Sequence, residues 1–195
     1  MLLDKLAGKK IILASQSPRR KELLNAMNIP FTVKPKPVDE TFPDGLNGKE
    51  IAEHIAKLKA EVYLNDIAKD EIVITSDTVV WCDGIAMAKP ADAKEAFKMI
   101  KHLSEKKHEV ITAICLFTAD KIMVKSDVVS VTFKELRGAE INYYVEHFQP
   151  FDKAGGYGIQ EWIGHIGITK IDGAYNSVVG LPTHLLYAML EELLD

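Results

Sequence analysis

Apolar positions change period several times along the chain, and each change marks an element. Lys10 to Ser15 is a short β-rich run that stops at Ser15-Gln16-Ser17-Pro18, where a hydroxyl cap followed by proline predicts a helix start. Leu23, Leu24 and Met27 give that helix one apolar face, and it is expected to end near Asn28. Phe31 to Val38 returns as an extended segment and leads into a polar loop over Asp39 to Gly45. Ile51, Ile55, Leu58 and Val62 recur at helical spacing between Lys49 and Leu64. Ile72 to Cys82 is a second strand, with Ser76-Asp77-Thr78 in its middle. Beyond the Asp83-Gly84 turn, Ala91 to Leu103 is helical, with Phe97, Ile100 and Leu103 apolar.

The period then changes. His108 to Thr118 and Lys121 to Phe133 are long β-rich runs joined by Ala119-Asp120, which predicts an antiparallel hairpin. A helix over Gly138 to Phe148 follows, then a glycine-rich stretch from Lys153 to Gly158, a β-like segment from Ile163 to Ile171, and a closing helix from Pro182 to Leu194. Helices and strands alternate first and a hairpin is added later, so the expected class is α/β, a mixed and partly antiparallel sheet flanked by helices. With neither an internal repeat nor a Pro/Gly-rich linker, residues 1–195 are expected to form a single domain.

Composition narrows the function classes. The chain carries 24 Lys+Arg against 28 Asp+Glu, a net charge of −4, and 47% of its residues are hydrophobic. A pI near 5.9 argues against a nonspecific grip on duplex DNA, so no nucleic-acid partner is expected and any anionic ligand must be held by a local cluster of donors. Asp4 and Lys5 interrupt the first apolar residues before a signal-peptide core develops, and the longest uncharged runs fall short of the roughly 20 residues that span a bilayer. Cys82 and Cys115 stand singly without CxxC spacing, which favours two buried thiols in a reducing compartment. A cytoplasmic protein without a membrane partner is the expectation.

Candidate chemistry concentrates in a few places. Arg19 and Arg20 fall in the first turn of the helix that begins at Pro18, where free N–H groups and bidentate guanidinium donors suit phosphate oxygens. A solvated surface pair is the alternative. Neither a GxxxxGK[ST] loop nor a GxGxxG fingerprint is present. Asp77 interrupts an otherwise β-branched strand, and a buried carboxylate is costly without a cation or donors. It reads either as a metal ligand or general base, or as a structural partner of a lysine. Glu40 is a possible second carboxylate for a hard divalent ion. Gly155 to Gln160 is flexible backbone ending in an amide that can both donate and accept, as reading a base edge requires. The six histidines show neither HxH nor HExxH spacing, and none is assigned to a metal.

Taken in order, these pieces resemble the Maf family of nucleoside triphosphate pyrophosphatases. The matching stretches are Leu13 to Arg20, Val38 to Glu40, Ala56 to Ala60, Ser76 to Val80, Lys89-Pro90, Leu103-Ser104, His108 to Thr112, Asp152 to Gln160 and Val178 to Pro182. Ser-Pro-Arg-Arg, Asp-Thr and Tyr-Gly-Ile-Gln resemble the branch that hydrolyses dTTP and UTP. Departures from the usual pattern are Ser76, Ala88, Glu161 and Ser177. The resemblance implies a Maf/ITPase-like fold of two lobes around a central nucleotide cleft, with Asp77 as the proton acceptor. It implies that Arg19, Thr78 and Gln160 set base selectivity and that Ser15, Arg20, Lys59 and Lys89 hold the triphosphate. Glu40 and Asp77 would place a divalent Mg²⁺ or Mn²⁺, and a homodimer is implied by the resemblance alone. The products would be a nucleoside monophosphate and pyrophosphate, possible removal of non-canonical nucleotides being one role. Two alternatives stand beside it: a nucleotide-binding regulator of cell division without significant hydrolysis, and a pyrophosphatase preferring 7-methyl-GTP.

Overall fold

Strand β3, Glu71–Cys82, is rich in β-branched residues that suit a pleated, buried surface, and its neighbours extend on both sides into a seven-stranded sheet. A computed structural model describes residues 1–195. Before β3 come α1 (Leu2–Lys5), β1 (Lys10–Leu13), α2 (Pro18–Ala26), β2 (Phe31–Val33) and α3 (Gly48–Glu61). After it come β4 (Ile85–Met87), α4 (Ala93–Leu103), β5 (Lys107–Phe117), β6 (Ile122–Phe133), α5 (Gly138–Phe148) and a 3₁₀ turn at Ala154–Gly156. The chain closes with α6 (Trp162–Gly167), β7 (Ile168–Asp172), α7 (Tyr175–Val179) and α8 (Thr183–Leu194). No helix is long and apolar enough to cross a membrane.

The strand order is β2-β1-β3-β5-β6-β7, with β4 also paired to β3. β1 is parallel to β2 and β3, and the remaining pairs are antiparallel, so the mixed α/β sheet expected from the sequence is observed. One feature of this order makes the site. β1 pairs with β3 only as far as Leu13 opposite Ile74, and β4 takes up the same edge only from Val80 opposite Met87. Between those points β3 has a strand neighbour on one side alone, where Asp77 lies opposite Ala113 and Thr78 opposite Thr112 of β5. A crevice outside the carboxyl end of a parallel strand is where ligands of open α/β sheets bind.

Side chains alternate across β3 and sort into three cores. Ile72 and Ile74 pack with Leu24 of α2 and with Leu186, Met189 and Leu190 of α8. Val73 and Val79 face Ile51, Ile55 and Ala56 of α3. A third core joins Val80, Val110 and Phe133 to α4 and α5 and forms the second lobe. By the same alternation Asp77 points to the α3 face and Thr78 to the α2 face.

The predicted hairpin is present, each strand shifted by about a residue, and Thr118 N–H donates to Lys121 O across the turn at 2.9 Å. The predicted helix over Gly138 to Phe148 has those bounds. The β-like reading of Ile163 to Ile171 is corrected: its first half is the helix α6, and only Ile168–Asp172 is strand. Gly164 explains the difference, because a Cβ there would lie 2.0 Å from the Ile159 carbonyl oxygen, and that closeness seats a helical turn on the preceding loop. α1, β4 and α7 are too short to show a period.

His108 is buried against Phe133 and Tyr157 of the third core, its Nε2 2.7 Å from the Tyr157 hydroxyl. Burial lowers its pKa to about 4 from an ordinary 6.5. The unfolded chain therefore binds the proton more readily, and stability falls as pH drops from about 6.5 to about 4, a contribution on the order of 3 kcal/mol. Urea denaturation at pH 7 and pH 4.5 should show this loss, and His108→Gln should remove that part of the pH dependence. An unchanged dependence in the variant would refute the assignment.

Candidate active site

The first turn of α2 is built by its cap. Ser17 Oγ accepts the Arg20 N–H at 3.4 Å and Pro18 occupies the first helical position, which sets Arg19 and Arg20 at the mouth of the gap beside β3. Arg20 Nε donates to the Gly180 carbonyl at 2.9 Å, while its two terminal nitrogens make longer contacts of 3.4 Å with Ser15 Oγ and Thr78 Oγ1. Removal from water lowers the guanidinium's pKa, and the nearby Asp77 carboxylate opposes that effect. Thr78 Oγ1 is also 3.0 Å from Thr112 Oγ1, whose proton goes to the Ser177 carbonyl at 2.7 Å. Arg20, Thr78, Thr112 and Ser177 thus form one directed chain, since each hydroxyl has a single proton to give.

On the other face, α3 starts at a capping box in which Asn47 Oδ1 accepts from Lys49 and Glu50 and the Glu50 carboxylate accepts the Asn47 N–H. Three turns later the helix delivers Lys59. Its ammonium donates to Asp77 Oδ1 at 2.7 Å and lies 3.0 Å from Glu40 Oε1. The Asp77 and Lys59 side chains are only 12% and 15% exposed, whereas Glu40 is 47% exposed on its loop. Asp77 is thus paired to a lysine, as one of its two readings requires, and the pair lies in the cleft.

A single cavity of about 930 Å³ is lined by all nine residues singled out from the sequence: Ser15, Arg19, Arg20, Glu40, Lys59, Asp77, Thr78, Lys89 and Gln160. Lys89 is exposed and forms no ion pair, and the Gln160 amide is not hydrogen-bonded within the protein. Sequence reasoning missed Lys36 and Lys153, which also line it. Lys36 is paired with Asp66 and stands over the Tyr63 ring. Lys153 is buried, 2.6 Å from Asp152 and 3.1 Å from Glu161. Its only signal was a lone charge at the start of a glycine-rich run. Arg19 Nη1 reaches Asp152 Oδ2 at 2.7 Å, which ties α2 to the second lobe. Burial pushes the Asp152 carboxyl up, but Lys153 and Arg19 together outweigh it and leave the group below its ordinary pKa.

Six cationic side chains line this cavity against three carboxylates, in a chain whose net charge is −4. Such a local excess suits a polyanion. One other group of ligating atoms, from Cys82, Asp83 and His102, gathers within 4.8 Å at the end of β3, but these residues do not line the cavity.

A family model described as Maf-like protein matches residues 10–193. The chain belongs to the Maf family. Among its relatives, the dTTP/UTP pyrophosphatase of Christiangramia forsetii is 50% identical over 195 residues and covers both chains fully. That of Phocaeicola vulgatus is 49% identical over 193 residues, covering 98% of this chain and all of the relative. The Staphylococcus aureus Ham1 protein shares the fold, with a TM-score of 0.52 at 18% identity over 95% of this chain and 100% of that one. The two-lobed mixed sheet of the Maf chain is therefore a Ham1-like architecture.

Thr112 is fully buried and serves both Thr78 and the Ser177 carbonyl. Thr112→Val keeps its shape and strands both partners, so it should cost about 1 to 3 kcal/mol of unfolding free energy. The denaturant midpoint measures this, and an unshifted midpoint would show that the chain of hydroxyls carries no stability.

Proposed function

We propose that this Maf protein is a nucleoside triphosphate pyrophosphatase that converts dTTP and UTP to the monophosphate and pyrophosphate. The observation that carries the reading is the cation-rich gap beside β3, with one buried carboxylate held in it by a lysine. The 45–50% identity to relatives of that name across the whole chain supports it.

The residues divide the work as follows. Arg20 is anchored through Nε, so its two terminal nitrogens can exchange long contacts for phosphate oxygens. Ser15, Lys59 and Lys89 surround the same space and add donors for the triphosphate. Lys59 fixes Asp77 through Oδ1, leaving Oδ2 without a protein partner to take the proton from the attacking water. Water's oxygen bonds to the α-phosphorus, the bond to the bridging oxygen breaks, and the electrons leave with pyrophosphate, whose charge the surrounding cations stabilise. Glu40 and Asp77 already enclose a cation, the Lys59 ammonium, with hard carboxylate oxygens, a donor set that fits Mg²⁺ or Mn²⁺. When bound there, a divalent ion supplies charge neutralisation and polarises phosphoryl oxygens.

Base choice falls to Arg19, Thr78 and Gln160. Thr78 is engaged by Arg20 and Thr112, and Arg19 by Asp152, so the Gln160 amide is the uncommitted reader among them. Uracil and thymine offer two carbonyl acceptors flanking an N–H, and an amide can meet both types.

Purified protein with Mg²⁺ or Mn²⁺ should release pyrophosphate fastest from dTTP and UTP in a panel that includes CTP, ATP, ITP and 7-methyl-GTP, and chelation should abolish the release. Binding without release would leave a nucleotide-binding module, and the highest kcat/KM for 7-methyl-GTP would overturn the base assignment alone. Asp77→Asn should lower turnover by on the order of 10² to 10⁴ with the fold retained. Near-normal turnover would return Asp77 to a structural role.

A further inference from the structure

The Gln160 side chain stands on a turn of four residues that is closed by an unusual ring of contacts. Within the main chain, Glu161 N–H donates to Gly158 O at 3.0 Å. Gly158 N–H in turn donates to the Tyr144 hydroxyl at 3.0 Å, and the Tyr144 hydroxyl donates to the Glu161 carboxylate. Gly158, Tyr144 and Glu161 therefore make a closed circuit around Ile159 and Gln160, one that crosses from α5 to the loop and back. The circuit is sheltered: Tyr144 is fully buried and the Glu161 side chain is 20% exposed. Its fit is tight as well, because a Cβ on Gly158 would lie 2.9 Å from the Glu161 carboxylate.

A second contact orders the same carboxylate. Lys153 Nζ lies 3.1 Å from Glu161 Oε1 and 2.6 Å from Asp152 Oδ1, and Asp152 holds Arg19. The carboxylate at position 161 thus stands behind two of the three residues to which base choice is assigned. It lines neither the cavity nor any part of the phosphate cluster. A partly buried carboxylate so placed costs desolvation unless its partners repay it, and here a phenol and an ammonium do so.

We propose that Glu161 is the positioning residue of the base-reading loop, acting through Tyr144 on the Gly158–Glu161 turn so that the Gln160 amide is presented in one orientation. Its contribution is to discrimination between bases rather than to the chemical step, and it rests on the pyrophosphatase reading of the site. Removal of the carboxylate frees the turn while leaving Asp77, Lys59 and Arg20 untouched.

The test uses the full-length protein and two readouts. Amide hydrogen exchange followed by NMR should show Gly158 and Glu161 N–H exchanging at least about 10-fold faster in Glu161→Ala and in Tyr144→Phe, with the strands of the sheet unchanged. Glu161→Gln, whose amide oxygen still accepts from Tyr144, should keep most of the protection. In steady-state assays, Glu161→Ala should lower the ratio of kcat/KM for UTP over CTP by at least about 5-fold. It should do so mainly through KM for UTP, and it should add nothing further in a Gln160→Ala background. Unchanged exchange at Gly158, an equal loss with every base, or effects that multiply with Gln160→Ala would each overturn the proposal. If the wild type releases no pyrophosphate from any nucleotide, the pyrophosphatase reading fails on its own, and the exchange data still decide whether Glu161 holds the turn.

Discussion

The cleft depends on a strand that loses its neighbour on one side. β3 is buried and paired along its β5 edge throughout the site, yet between Ile74 and Val80 no strand occupies its other edge. That interruption gives two consecutive residues access to the same space from opposite faces of the sheet. Asp77 meets Lys59 from α3, and Thr78 meets Arg20 from α2. A continuous ladder would have sealed the position, and a shorter β3 would have left both side chains on a mobile loop. Rigid pairing on one edge with an opening on the other is what lets a carboxylate and a hydroxyl be held in place and still be reached by solvent.

Electrostatics then act on a frame already fixed by packing. The chain is acidic overall, but the helices deliver cations to one place: Arg19 and Arg20 at the start of α2, Lys59 near the end of α3, Lys89 and Lys153 from loops of the second lobe. Arg19, Lys59 and Lys153 each have a protein carboxylate beside them, and this is why so much like charge can be gathered at tolerable cost. The same pairs tie the lobes together, since Arg19 belongs to one and Asp152 to the other.

Much of this was legible before any coordinates. The Ser17-Pro18 start, the β-branched run around Asp77, the long hairpin and the apolar stripe of α3 all depend on neighbours in sequence, and local rules reach them. What the residues alone left open was whether Asp77 is catalytic or structural, and its geometry shows why: the lysine that neutralises it also lines the cationic cleft. The parts that were not legible depend on distance along the chain. Lys153, Glu161 and Tyr144 are joined by contacts between α5 and the loop after it, and no periodicity announces a phenol that meets a carboxylate 17 residues later. The segment around Gly164 was misread because its apolar residues fit either period, and only the approach of Gly164 to the Ile159 carbonyl selects the helix.

The carboxylates inside the cationic cleft have one further effect. Asp152 on Arg19 and Glu40 on Lys59 are resident anions, already in contact with the groups a triphosphate would meet. Nucleotide entry is thus an exchange of one anion for another and not the filling of a void, and each incoming phosphate oxygen gains only the difference. The same carboxylates offset the mutual repulsion of the cleft's cations. A departing polyanion would likewise be replaced by a carboxylate already at hand, so the cleft's hold on anions is tempered by the anions it carries.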